Sequence, residues 1–351
     1  MNILIGILIG LGALLALFFL YLVVIIFFSG FSVPPQPLST RTEDGKQTAP
    51  SCRQDVSFLS GGEKISAWLY LPEVQVVPLP CVIMSNGFGG TTGMILESYA
   101  LRFVEAGVAV LTYDYRHFGE SEGEPRQLFF ISKQLEDLRA AIAFARQRKE
   151  VAEEKIVLWG TSASGGYGLI LAAEDPKIAA IIGQCPALDS HADGHLALER
   201  EGMKSLLRLI MHAQRDMGRS RFNLSPHRIP IVGKPGTVAM FTAPGVMEGY
   251  SALAPSNFVN EICPRGLLRT HGYNPINFAD KVACPVLLQV CQHDNLVSKA
   301  SYQKTTKILG ELVELIEYPI GHFDIYQGQH FERAVEAQIE FLYKYLVRGV
   351  D

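Results

Sequence analysis

The chain has 351 residues, 48% of them apolar, with 31 Lys and Arg against 35 Asp and Glu and a formal charge of −4. That length accommodates one large or two smaller domains, and the apolar content is ample for a packed core. A near-neutral balance with no basic block or Arg-rich stripe excludes nucleic acid from the expected partners.

The first forty residues carry no charged side chain, and residues 3–28 are a continuous apolar run. As a helix this run would reach about 39 Å, against about 30 Å for a bilayer core. A cleaved signal peptide would have a basic start, a shorter apolar stretch and an A-x-A-like exit. This segment has none of these, so residues 1–29 read as a single uncleaved transmembrane anchor. Arg41, Lys46 and Arg53 follow the span and no basic residue precedes it, which places the rest of the chain on the cytoplasmic side. Of six cysteines, Cys81, Cys284 and Cys291 fall on or beside predicted buried strands. No pair has C-x-x-C spacing, so reduced structural thiols are expected rather than a metal or redox site.

Residues 30–50, rich in Pro, Ser, Thr and charge, read as a linker. A domain over 51–351 follows, in which short apolar runs alternate with helical periods, the pattern of a mostly parallel α/β sheet. Strands are predicted at 55–58 and 65–71, joined by Ser60-Gly61-Gly62 as a hairpin, then at 81–85, 108–113, 156–160, 178–183, 286–290 and 313–318. Ile131, Leu135, Leu138 and Ile142 mark one face of a helix, residues 163–173 a helix of small apolar residues, and 330–347 a final helix. About ninety residues between the sixth and seventh strands exceed any ordinary crossover. With an amphipathic stretch at 196–217 followed by Pro226, Pro230 and Pro235, residues 187–282 read as a cap inserted over the sheet edge.

The densest chemical signal is Trp159-Gly160-Thr161-Ser162-Ala163-Ser164-Gly165-Gly166. A serine on a sharp strand-to-helix turn, flanked by small residues, holds its hydroxyl out at the sheet edge, and the helix N-terminus favours developing negative charge. Because the apolar run stops at Trp159, Ser162 sits at the turn and Ser164 within the following helix. Ser162 is therefore the preferred nucleophile. Acyl transfer also needs a base, an acid to orient it, and donors for the oxyanion. His322, in Gly321-His322-Phe323-Asp324 after the last strand, is the expected base, with His330 its rival at a helix start. Asp294, after the seventh strand, is the expected acid, with Asp189 after the sixth its rival and His293 a bystander. The backbone N–H groups of Ala163 and Phe88, the latter in Asn86-Gly87-Phe88-Gly89-Gly90, are the expected oxyanion donors.

With Asp114-Tyr115-Arg116-His117-Phe118-Gly119-Glu120-Ser121, these blocks resemble the α/β-hydrolase superfamily over residues 52–350, nearest its dienelactone-hydrolase-like and serine-aminopeptidase-like branches. The resemblance implies an α/β-hydrolase fold: an eight-stranded, mostly parallel sheet with helices on both faces. It also implies Ser162, Asp294 and His322 as a triad, with Phe88 and Ala163 as oxyanion donors. Two departures stand out: Asn86 replaces a common His, and Ser164 replaces a common Gly. Arg116 reads as a structural ion pair, with contact to a substrate carboxylate as the alternative.

The expected activity is hydrolysis of a small-molecule ester or thioester through an acyl-serine, without cofactor or metal. A peptidase is the alternative enzyme, for which Glu199 and Glu201 would have to grip a peptide N-terminus. A non-catalytic, membrane-tethered binding protein is the alternative outside enzymes.

Overall fold

The computed structural model describes residues 2–40, 49–73 and 78–347, so Arg41 and Lys46, which carried most of the orientation argument, lie outside the described residues. One sheet contains β1 (Arg53–Ser60), β2 (Glu63–Tyr70), β3 (Leu79–Ser85), β4 (Ala109–Tyr113), β5 (Val151–Thr161), β6 (Ile178–Gln184), β7 (Val286–Cys291) and β8 (Val313–Tyr318). Their spatial order is β1-β2-β4-β3-β5-β6-β7-β8. β2 is antiparallel to β1 and β4, and all later pairings are parallel. Central strands such as β4 and β7 are buried along their whole length, which is why they read as unbroken apolar runs rather than alternating ones.

The helices are α1 (Asn2–Phe27), α2 (Leu96–Glu105), α3 (Ile131–Arg146), α4 (Tyr167–Glu174), α5 (Ser190–Arg221), α6 (Val246–Leu253), α7 (Lys299–Leu309) and α8 (Gly328–Leu342). α2 packs against α8, and α3 against α4. The predicted apolar face of α3 is only half of the story. Leu138 and Ile142 are buried, but so are Gln134 and Asp137. Asp137 pairs with Arg116 at 2.6 Å, and Gln134 accepts the Tyr167 hydroxyl at 2.6 Å.

Residues 162–164 form a 3-10 turn and α4 begins only at Tyr167, later than the expected start at residue 163. Ser164 holds that turn: its Oγ accepts from the Thr161 N–H at 3.0 Å and donates to the Ser85 carbonyl at 2.8 Å.

Between β6 and β7 the long interval holds α5, α6 and two 3-10 segments, Pro264–Gly272 and Pro275–Lys281. α5 is longer than its amphipathic stretch suggested, because Asp189 caps it. The Asp189 carboxylate accepts from the N–H groups of His191 at 3.0 Å and Ala192 at 3.3 Å. The helix kinks at Gly202, the one residue in it with non-helical φ and ψ (77° and 160°).

α1 contains a 24-residue stretch, Leu4–Phe27, long and apolar enough to cross a membrane by length and composition. The chain after it is not a free spacer at first. Val33 and Leu38 pack against the core, and the Gln36 carbonyl accepts from Asn260 Nδ2 at 2.7 Å.

Candidate active site

β5 delivers Ser162 to the C-terminal edge of the sheet, where the backbone reverses so sharply that Ser162 takes φ 54°. A left-handed, non-glycine residue is strained and persists only when its surroundings impose it. Gly160 and Gly165 allow that reversal: a Cβ on Gly160 would meet the Ser164 carbonyl, and one on Gly165 would lie 2.5 Å from Pro186 Cα. The small residues flanking Ser162 are therefore a packing requirement.

His322 follows β8 and Asp294 follows β7, so both arrive at the same edge from neighbouring strands. His322 Nδ1 lies 2.6 Å from Asp294 Oδ2, and His322 Nε2 lies 3.1 Å from Ser162 Oγ. A carboxylate can only accept, so the imidazole proton sits on Nδ1 and Nε2 is left to accept from the serine hydroxyl. Burial tends to raise the pKa of Asp294. The His322 charge, its hydrogen bond and two backbone N–H groups outweigh that, so the carboxyl is held below its usual range. Those N–H groups belong to Leu296 and Val297, at 2.7 and 3.0 Å from Oδ1.

The rivals are elsewhere engaged. Ser164 is buried and spent on the turn, Asp189 caps α5, His293 is exposed, and His330 lies on α8. Arg116 is almost wholly buried against Asp137 and Ser60, which makes it the structural ion pair expected of it.

Phe88 and Ala163 both line a chamber of about 170 Å³ at Ser162. The Phe88 carbonyl accepts from the Tyr250 hydroxyl at 2.8 Å, tethering the loop to α6. Asn86, which stands where a His is common, holds the same loop through its side-chain amide on the Thr91 carbonyl. The chamber shares Phe88, Ala163, Ala187, Asp193, Phe241 and Leu296 with a second cavity of about 290 Å³ beneath α5. Leu198, Leu206, Leu209, Val238 and Met240 make that cavity chiefly apolar.

Asp193 was not singled out from the sequence, because one acid in the first turn of a helix is unremarked helix chemistry. It lies where the two cavities meet and accepts from the Ser298 N–H at 2.7 Å. Burial, with added repulsion from Asp294 and Asp189, pushes its carboxyl up to about 7.

Cys185, Asp294 and His322 bring possible metal-ligand atoms within 4.8 Å of one another. The donor chemistry does not fit an ion, since Asp294 and His322 Nδ1 are spent on each other. The Cys185 thiol packs against the Cys291 thiol at 3.2 Å, and that contact together with burial raises its pKa.

Residues 78–224 match the family model described as serine aminopeptidase, S33. The chain is 39% identical over 296 residues to the quorum-quenching protein AidA of Acinetobacter baumannii, spanning 84% of this chain and 95% of that protein. It is 30% identical over 222 residues to the thiohydrolase aneE of Aspergillus aculeatus, spanning 63% of this chain and 65% of that one. Among solved structures it resembles the alpha/beta hydrolase GrgF from Penicillium sp. sh18. The TM-score is 0.70 at 26% identity, over 84% of this chain and 99% of that one.

Proposed function

This chain belongs to the α/β-hydrolase superfamily, and on that premise we propose that it is a membrane-tethered serine hydrolase cleaving carboxylic esters or thioesters. The observation that carries this reading is the Ser162–His322–Asp294 chain of contacts, at 3.1 and 2.6 Å, opening on a largely apolar cavity.

In the proposed cycle Ser162 Oγ attacks the acyl carbon while His322 Nε2 takes its proton, and Asp294 stabilises the imidazolium. The N–H groups of Phe88 and Ala163 receive the oxyanion. Collapse expels the alcohol or thiol, protonated by His322, and leaves acyl-Ser162. Water, deprotonated by His322, then releases the acid and restores the serine. The cycle draws only on side chains, backbone and water. The apolar cavity suits an acyl chain, and the relative named a thiohydrolase supports the thioester arm.

The peptidase alternative finds less support in the cap. Glu199 is exposed and lines neither cavity, and Glu201 is engaged by Arg200 and Thr242, so the two form no paired acidic grip for a peptide N-terminus at the site. A panel of p-nitrophenyl esters, acyl thioesters and aminoacyl anilides on the full chain tests the assignment. Esters or thioesters should be turned over far faster than anilides; a preference for anilides would replace the proposal with the peptidase.

The proposed location is a single span by α1 with the hydrolase domain on the cytoplasmic face, since Arg41, Lys46 and Arg53 follow the span. Protease added to intact cells, or to spheroplasts where there is an outer membrane, should leave the domain uncut until lysis. Digestion before lysis would reverse the orientation, and full-length protein in the soluble fraction would remove the anchor.

A further inference from the structure

α1 does not simply leave the domain; its last turns are fastened to the cap helix. The Tyr21 hydroxyl donates to Gln214 Oε1 at 2.7 Å, the Phe27 and Phe222 rings lie 5.3 Å apart, and Ile25 and Ile26 are buried. A Cβ on Gly218 would collide with Ile26, so only glycine admits the approach. α1 has no basic residue in its last turn to meet the carbonyls that every helix end leaves unpaired. α5 supplies the cations instead: Arg215 donates to the Ile25 carbonyl and Arg219 to the Ile26 carbonyl, the latter at 3.1 Å.

At 100° per residue, Gln214 and Gly218 lie within about 60° of Met203 and Leu207 around the α5 axis. One face of α5 therefore carries α1 at its C-terminal end and is bare further back. There Met203 and Leu207 are 55% and 57% exposed, and Phe222 at the far end is 58% exposed. Leu206 and Leu209 point the other way, into the cavity. From Met203 to Arg221 the helix carries Lys204, Arg208, Arg215, Arg219 and Arg221 against a single acid, Asp216, which pairs with Arg265 at 3.2 Å. Apolar side chains on one face and long cations beside them are what a helix lying at a lipid surface presents.

We propose that this face of α5, Met203 to Phe222, rests in the headgroup layer of the phospholipid bilayer that α1 crosses. The inference rests on the span proposed above and adds a second membrane contact, made by the same helix that walls the substrate cavity. Continuity with α1 selects the occupant. Residues 4–21 of α1 are exposed along their length, and once they lie in lipid the adjoining stripe on α5 is carried to the same surface. Tyr21, at the junction, then stands at the level where tyrosine is enriched in membrane proteins. Lys204 and Arg221, both exposed, are the cations left to meet lipid phosphates, since Arg215 and Arg219 hold the α1 carbonyls and Arg208 lines the cavity.

The test uses full-length protein reconstituted in phospholipid vesicles, with bromine-labelled lipids as quenchers. Leu207→Trp should add emission that lipids brominated high on the acyl chain remove, beyond the background of Trp68 and Trp159. Leu14→Trp, mid-span, should be quenched by bromines near the chain ends. Quenching of both supports the proposal. Quenching at 14 without quenching at 207 overturns it and leaves the span intact. Quenching at neither position removes the span and this inference with it. Met203→Trp, one turn away on the same stripe, repeats the reading should the substitution at 207 disturb folding.

Discussion

Ser162→Ala should abolish turnover, by roughly a million-fold in kcat, and end covalent labelling by a fluorophosphonate. The proposed mechanism puts the bond-forming atom on this side chain alone, and alanine leaves His322 Nε2 nothing to deprotonate at 3.1 Å. Residual catalysis from the oxyanion donors and binding should remain above the uncatalysed rate. Ser164→Ala is the informative control. It should cost about 1–3 kcal/mol of stability, because the Ser85 carbonyl and the Thr161 N–H lose a buried partner, yet keep the labelling. Labelling that survives in Ser162→Ala and disappears in Ser164→Ala would move the nucleophile two residues along the chain.

The second large effect belongs to Asp294. Asp294→Asn keeps the volume but can turn a donor toward His322 Nδ1, which favours the tautomer with its proton on Nε2 and blocks acceptance from Ser162. A loss of roughly four orders of magnitude in kcat is expected, with substrate binding little changed. Asp189→Asn should leave kcat near that of the parent, since Asp189 is spent on the first turn of α5 and asparagine caps a helix nearly as well. Measuring kcat and KM for both variants on one ester decides the point. A large loss confined to Asp189→Asn would transfer the acid to the strand before.

Much of this was legible in the chain because it is local. A strand buried on both faces must be apolar throughout, so β3, β4, β6, β7 and the second half of β5 announce themselves as short runs, whereas β8 at the sheet edge carries Glu314 and Glu317. A backbone that reverses at Ser162 tolerates only small neighbours, and that constraint is written into Gly160, Ala163, Ser164 and Gly165. His322 and Asp294 sit directly after strands that end at one edge, so position along the chain implied position in space. The uncharged stretch that became α1 is equally plain, since length and composition alone decide whether a helix can cross a bilayer.

What the chain could not disclose depends on contacts between distant segments. Nothing near Asp193 in sequence foretells that β7's following loop and the cap close over it; burial by those elements, not residue type, lifts its carboxyl to about 7. Gln184, Gln289 and Gln338 look like surface residues, yet they meet beneath the sheet edge, with Gln338 also accepting from Trp159, because three elements converge there. Met203 and Leu207 read as ordinary members of an amphipathic helix whose apolar side should face the cavity. Only the packing of Ile26 onto Gly218 shows that α5 has two apolar faces, one toward the cavity and one beside α1. Periodicity reports that a face is apolar; which body covers it is decided by where the rest of the chain comes to lie.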